Sequence, residues 1–306
     1  MVRFGAVVTA MATPFREDGS LDLDATARLA RWLVDHGSTA LVVTGSTGES
    51  ATLSDEERAT LWKVAAEAVS VPIIAGATTN DTAHSLRLVA AAEEAGARGI
   101  LAVVPYYARP PQAGLVRHFG QIAQATSLPI LLYDVPARTG RRLEAATTAE
   151  LLAAHPNVVG LKDASGDLGA AAWLMANAPR PFALYSGDDA LFVPFLGLGA
   201  VGVVSVAGHW AGPVFRALHD AWMTGDTERV RRLNSALVPS YRFENQAEFP
   251  NPIPTKAMLA ALGLGGPWCR SPLINAPAAL IEEARGVLRE LAELASKEGV
   301  DLGASA

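Results

Sequence analysis

Eight short apolar runs, rich in β-branched residues, recur along this chain, and a longer stretch of helical periodicity follows each one. They lie at 5–9, 40–44, 71–75, 99–104, 129–133, 158–162, 181–186 and 201–206. Most are apolar at successive positions, which is how a strand buried on both faces reads. The helical stretches have recognisable ends. Ser54 with Glu57 three residues later forms a capping box. Gly37 and Gly96 close the helices that open near Asp24 and Asp81, as left-handed helix ends prefer. Strands alternating with helices eight times over predict an α/β fold, a parallel (β/α)8 TIM barrel, over residues 1–225. Residues 226–306 read as helices at 227–237, 255–262 and 277–296, a C-terminal helical appendage. The competing architecture is an open doubly wound sheet. Its one support is the G-x-G-x-x-G spacing from Gly197 to Gly202, which precedes a strand instead of following one and so reads as a turn.

Composition narrows the function classes. Of 306 residues, 50% are hydrophobic and 18% charged, which is ample apolar surface to offset chain entropy and excludes disorder. The formal net charge of −6 argues against a nucleic-acid partner. No run approaches the roughly 18 apolar residues that a membrane helix needs. Arg3 and the Ala10-Met11-Ala12 step resemble a secretory leader, but the stretch between them is too short and too β-branched for one. The single cysteine, Cys269, permits no internal disulfide, in keeping with a reducing compartment. A soluble, cytoplasmic protein is expected. The six histidines show no metal-binding spacing, so no metal is expected.

In a parallel barrel, chemistry sits at the C-terminal ends of the strands and in the loops after them. Lysine is the informative residue there, because only four occur: Lys63, Lys162, Lys256 and Lys297. Lys162 closes an apolar strand, where enclosure disfavours an ammonium, and a neutral amine attacks a ketone to form a Schiff base. The alternative is a lysine reaching out of the rim or paired with Asp163 or Asp167. Tyr133 ends the adjacent strand and is either a proton carrier or an aromatic plug. Gly45-Ser46-Thr47-Gly48 offers hydroxyls and amides to a small carboxylate, or is an ordinary tight turn. Arg138 has the fork that suits a carboxylate, or is one more surface arginine. Asp188 and Asp189 could form a carboxylate pair, but after Gly187 they read rather as helix caps. All of these fall at the same end of the barrel.

Six segments together resemble the dihydrodipicolinate synthase/N-acetylneuraminate lyase family of pyruvate-dependent class I aldolases. They are Gly45–Glu49, 105–107 (Pro-Tyr-Tyr), 132–140 (Leu-Tyr-Asp-Val-Pro-Ala-Arg-Thr-Gly), 160–162 (Gly-Leu-Lys), 186–189 (Ser-Gly-Asp-Asp) and 251–256 (Asn-Pro-Ile-Pro-Thr-Lys). The resemblance runs from about residue 4 to 273. It implies that Lys162 binds pyruvate as a Schiff base and that Tyr133 relays protons with Thr47 and Tyr107, the last supplied by a neighbouring subunit. It implies that Ser46 and Thr47 hold the pyruvate carboxylate, that Arg138 receives the carboxylate of the aldehyde, and that Gly187 and Val204 line the pyruvate site. No cofactor is implied, and the family suggests a homotetramer built as a dimer of dimers.

Arg138 and the 251–256 segment are similar to the synthase branch, which condenses pyruvate with L-aspartate 4-semialdehyde in lysine and diaminopimelate biosynthesis. Ser46 stands where that branch usually carries threonine, and Asp134 where it carries asparagine. A sialic acid or 2-keto-3-deoxy sugar acid lyase using the same lysine is the near alternative. A non-catalytic small-ligand-binding barrel is the remote one. The family's lysine-feedback site is only partly matched. Ser50, Ala51, Asn80 and Tyr106 agree with it, whereas Asp55, Arg58 and His84 replace His, His and Glu, so weak or absent inhibition by L-lysine is expected.

Overall fold

The protein is described by a computed structural model covering residues 4–303; Arg3, invoked in the leader comparison, lies outside the described residues. Eight parallel strands close into a barrel in chain order. They are β1 (Val7–Ala10), β2 (Ala40–Val43), β3 (Ile73–Ala75), β4 (Gly99–Val103), β5 (Ile130–Asp134), β6 (Val158–Asp163), β7 (Ala183–Ser186) and β8 (Gly202–Ser205). Closure comes from β1 against β8, with Val7 opposite Val203 and Thr9 opposite Ser205. Each strand coincides with one apolar run, trimmed or shifted by one or two residues. The capping box forms as read: the Ser54 side chain accepts from the Glu57 amide at the start of the helix Asp55–Ala68. The segment after Gly197 is a turn leading into β8, so the closed barrel replaces the open-sheet alternative.

Two apolar layers form for the reason that strands alternate their side chains. One layer fills the barrel interior with Phe4, Val8, Val42, Ile74, Leu101, Leu131, Tyr133 and Tyr185. The other packs the outer strand faces against the surrounding helices, with Leu41, Ile73, Ile100 and Leu132 meeting Leu29, Trp62, Leu88 and Phe119. The helix Gly208–Met223, which follows β8, joins a further cluster. Its Trp210, Phe215 and Leu218 share a core with Leu233, Phe243, Met258, Leu280 and Leu291 from the C-terminal helices. Burial of that cluster docks residues 226–303 against the barrel. A short helix, Val238–Glu244, appears within this region where the sequence shows no distinct period.

Candidate active site

Register decides which way Lys162 points. Ile130 of β5 pairs with Val158 of β6, but Leu131 pairs with Gly160, so β6 carries one extra residue. Beyond that shift Tyr133 pairs with Lys162, and Lys162 with Tyr185 of β7. Paired residues in adjacent strands share a face, so Lys162 joins Tyr133 and Tyr185 on the interior side. Had the 130–158 register continued unshifted, Lys162 would lie opposite Asp134 and face the helices. Gly160 is required beside the shift, because a Cβ there would sit 2.2 Å from the Ala183 carbonyl oxygen.

The result is an amine enclosed at the mouth of the barrel. Lys162 is 5% exposed and its Nζ stands 4.3 Å from the centre of the Tyr133 ring, itself 6% exposed. Snorkelling to solvent is thereby ruled out, and the ion pairs found among the described residues do not include Lys162. The lysine opens onto a cavity of about 150 Å³. Ser46, Thr47, Tyr133, Arg138, Lys162 and Gly187 all line it. Two residues lie elsewhere. Val204 is buried within the barrel layer, and Val206 lines the cavity instead. Tyr107 is 90% exposed on the β4 loop, with a left-handed backbone (φ 71°), its amide donating to the Thr139 carbonyl at 3.3 Å.

The loop after β2 is a tight turn that faces the cavity. Glu49 donates its amide to Ser46 O at 3.1 Å and Ser50 to Gly45 O at 3.3 Å, which closes the turn. Among the described residues, the amides of Ser46 and Thr47 have no protein acceptor. Two free amides beside two hydroxyls suit a small carboxylate. Thr47 Oγ1 accepts from Asn251 Nδ2 at 3.0 Å, and Arg138 Nη2 donates to the Asn251 carbonyl at 3.2 Å. Asn251 thus ties the loop to the arginine across the cavity.

Acidic groups form the opposite wall. Asp188 caps a short turn, accepting from the Ala190 amide, as its position after Gly187 suggested. Asp189 accepts from the Val206 and Ala207 amides at 2.9 and 2.8 Å. Burial pushes the Glu244 carboxyl well above the usual carboxylate range, and the neighbouring Asp189 adds to the effect. On β5, next to Tyr133, burial raises Asp134 to about 7, while a hydrogen bond from the Leu143 amide at 3.0 Å opposes the rise. Burial likewise raises its register partner Asp163. Sequence reasoning assigned no role to Asn251, Glu244 or Asn245, although all three line the cavity. Asn251 lay in a quoted motif. Glu244 and Asn245 gave no signal, because they lie in a stretch where the sequence shows no distinct period. No group of His, Cys, Asp and Glu side chains among the described residues is arranged to hold a metal ion.

A lysine and a phenol enclosed together at the C-terminal mouth of a closed (β/α)8 barrel define a site for imine chemistry on a small carbonyl compound. The chain belongs to the dihydrodipicolinate synthetase family, whose model matches residues 3–291. It is 46% identical over 286 residues to the 4-hydroxy-tetrahydrodipicolinate synthase of Acidothermus cellulolyticus, covering 92% of this chain and 91% of that one. The Moorella thermoacetica enzyme of the same name is 45% identical over 293 residues, covering 94% and 99%. Among solved structures, the 4-hydroxy-tetrahydrodipicolinate synthase of Methylacidiphilum fumariolicum superposes with a TM-score of 0.91 at 38% identity, covering 97% of this chain and 99% of that one. The enzyme of Cyanidioschyzon merolae, solved with lysine bound, gives 0.90 at 40% identity, covering 94% and 98%.

Proposed function

We propose that this protein condenses pyruvate with L-aspartate 4-semialdehyde to give 4-hydroxy-tetrahydrodipicolinate, a step of lysine and diaminopimelate biosynthesis. The observation that carries the reading is the enclosed Lys162–Tyr133 pair, with a receptor loop on one side and Arg138 at the rim. The Lys162 amine adds to the pyruvate ketone, and the carbinolamine loses water to form an imine. A proton leaves the pyruvate methyl group, and the resulting enamine carbon attacks the aldehyde, whose oxygen takes up a proton. The substrate's own amine then displaces Lys162 from the imine carbon, closing the ring and freeing the enzyme. No cofactor is needed, because the protonated imine is itself the electron sink.

Tyr133 is the proton carrier, partnered by Thr47 and by Tyr107. Because Thr47 Oγ1 already accepts from Asn251, its own proton is available to a phenolic oxygen. Ser46 and Thr47 take the pyruvate carboxylate, Arg138 that of the aldehyde, and Gly187 and Val204 back the pyruvate site. Tyr107 is exposed and is not among the residues that line the cavity of its own subunit, which supports completion of the site by a second copy within a homotetramer, a dimer of dimers. The barrel of residues 1–225 carries the reactive groups, and the helical region 226–306 adds Glu244, Asn245 and Asn251 to the cavity lining. The single cysteine and this chemistry fit a cytoplasmic enzyme. Steady-state turnover decides among substrates. The synthase reading requires condensation of pyruvate with aspartate semialdehyde, and efficient cleavage of N-acetylneuraminate or a 2-keto-3-deoxy sugar acid without that condensation would replace it.

A further inference from the structure

A second lysine, remote from the reactive one, is more deeply buried. Lys256, on the helix Ile253–Ala261, has 0% of its surface exposed. Its Nζ lies 2.8 Å from Glu49 Oε1, a carboxylate with 1% of its side chain exposed. The ammonium donates its hydrogen bond to the Trp268 carbonyl at 2.6 Å, and the carboxylate accepts from the Arg270 amide at 2.9 Å. The buried Phe15 ring lies between two cations, 4.4 Å from Lys256 Nζ and 4.6 Å from the Arg270 guanidinium. Full burial of two charges costs several kcal/mol per ion, so a pair of this kind is weak evidence for stability as such. Its position suggests another use.

Glu49 ends the loop whose Ser46 and Thr47 face the cavity, and it is held in the left-handed region at φ 54°. Thr44, at the other end of the loop, is also left-handed, at φ 60°. A non-glycine residue held there is strained and persists only where its surroundings enforce it. At Thr44 the enforcement is local: its hydroxyl accepts from Trp62 Nε1 at 2.8 Å and donates to the Gly76 carbonyl at 3.2 Å. At Glu49 the barrel holds the backbone, whose amide donates to Ser46 O at 3.1 Å and whose carbonyl accepts from Thr52 Oγ1 at 3.0 Å. Among the described residues its side chain is held by Lys256 and Arg270, both from the C-terminal region. The same region supplies Asn251, which reaches Thr47, and Thr255, which donates to Asn251 Oδ1 at 3.1 Å.

We propose that the Lys256–Glu49 pair is a positioning element for pyruvate, a clamp that holds the 44–49 loop in the conformation whose free amides receive the substrate carboxylate. The inference rests on pyruvate being the ligand of that loop. It predicts a selective defect, because Arg138 is not part of the loop and is held through the Asn251 carbonyl. In Lys256→Met the carboxylate keeps its Arg270 donor but loses its counter-charge, and the variant is expected to fold poorly. The informative variant is therefore the double one, Glu49→Gln with Lys256→Met, which removes both charges and should melt near the wild-type temperature. For it, KM for pyruvate is expected to rise at least about tenfold, with KM for the aldehyde within about twofold of wild type. The pyruvate concentration that half-saturates borohydride trapping of the amine should rise in parallel. A double variant that melts normally and keeps wild-type KM for pyruvate would overturn the clamp alone. A wild-type enzyme that traps no pyruvate would overturn the function reading and the clamp with it. If the double variant too fails to fold, or both substrates' KM values rise equally, the pair is structural and the proposal is wrong.

Discussion

The two flanks of the cavity are joined to the C-terminal region by opposite electrostatics. On the β2 side Lys256 and Glu49 cancel each other's charge in a fully buried contact. On the β7–β8 side Asp189 and Glu244 are both acids, and burial with a like-charged neighbour keeps the Glu244 proton in place. The first joint sets opposite charges against each other. The second depends on a proton, and so does the Asp134–Asp163 pair beside the reactive residues. A buried polar contact is robust to pH only when the charges within it balance.

The contrast is sharpest in single variants. Removing one partner of the ion pair leaves an uncompensated buried charge, so Glu49→Gln or Lys256→Met alone should lower the unfolding free energy by about 3–5 kcal/mol at neutral pH, read by urea denaturation. A loss below about 1 kcal/mol would remove the distinction between the flanks.

On the acid flank the corresponding change should stabilise. The folded pKa of Glu244 is raised above its unfolded value, so the wild type loses stability as pH climbs through the unfolded value toward the folded one. Glu244→Gln cannot ionise, and its stability relative to wild type should improve between slightly acidic and alkaline buffer. Parallel pH curves for the two proteins would show that the proton is not retained.

Asp134→Asn tests the same idea away from the cavity wall and with a smaller effect. The amide oxygen can still accept from Leu143, while the acid is raised from 3.8 to about 7. The wild type therefore loses stability between about pH 4 and 7, and the variant should be the more stable above that window. Equal melting temperatures at mildly alkaline pH would contradict it.

The smallest expected change concerns L-lysine. His84 Nε2 lies 2.8 and 2.9 Å from the two Asp55 oxygens, an internal pairing that competes with an incoming ammonium for that carboxylate. L-lysine should inhibit weakly or not at all, and a submillimolar inhibition constant would refute that.

Much of this architecture is legible in sequence because it is local. Strands buried on both faces are apolar runs, helix starts carry caps, and Lys162 and Tyr133 stand at strand ends where the barrel places chemistry. The extra residue in β6 is not legible, since a period count cannot reveal a shift in pairing with a neighbouring strand. Nor are the joints between Thr47 and Asn251 or between Glu49 and Lys256. Each links residues some two hundred positions apart, and only closure of the barrel and docking of the last helices bring them together. Glu244 misleads for a related reason: its retained proton follows from an enclosure that its neighbours in sequence do not display.

The central claim is that Lys162 becomes covalently bonded to pyruvate. Borohydride reduction in the presence of pyruvate, followed by peptide mapping, tests it directly. A reduced adduct on Lys162, absent from Lys162→Ala, is the predicted result. No adduct, or one carried by Lys63, Lys256 or Lys297 with Lys162 unmodified, would contradict it.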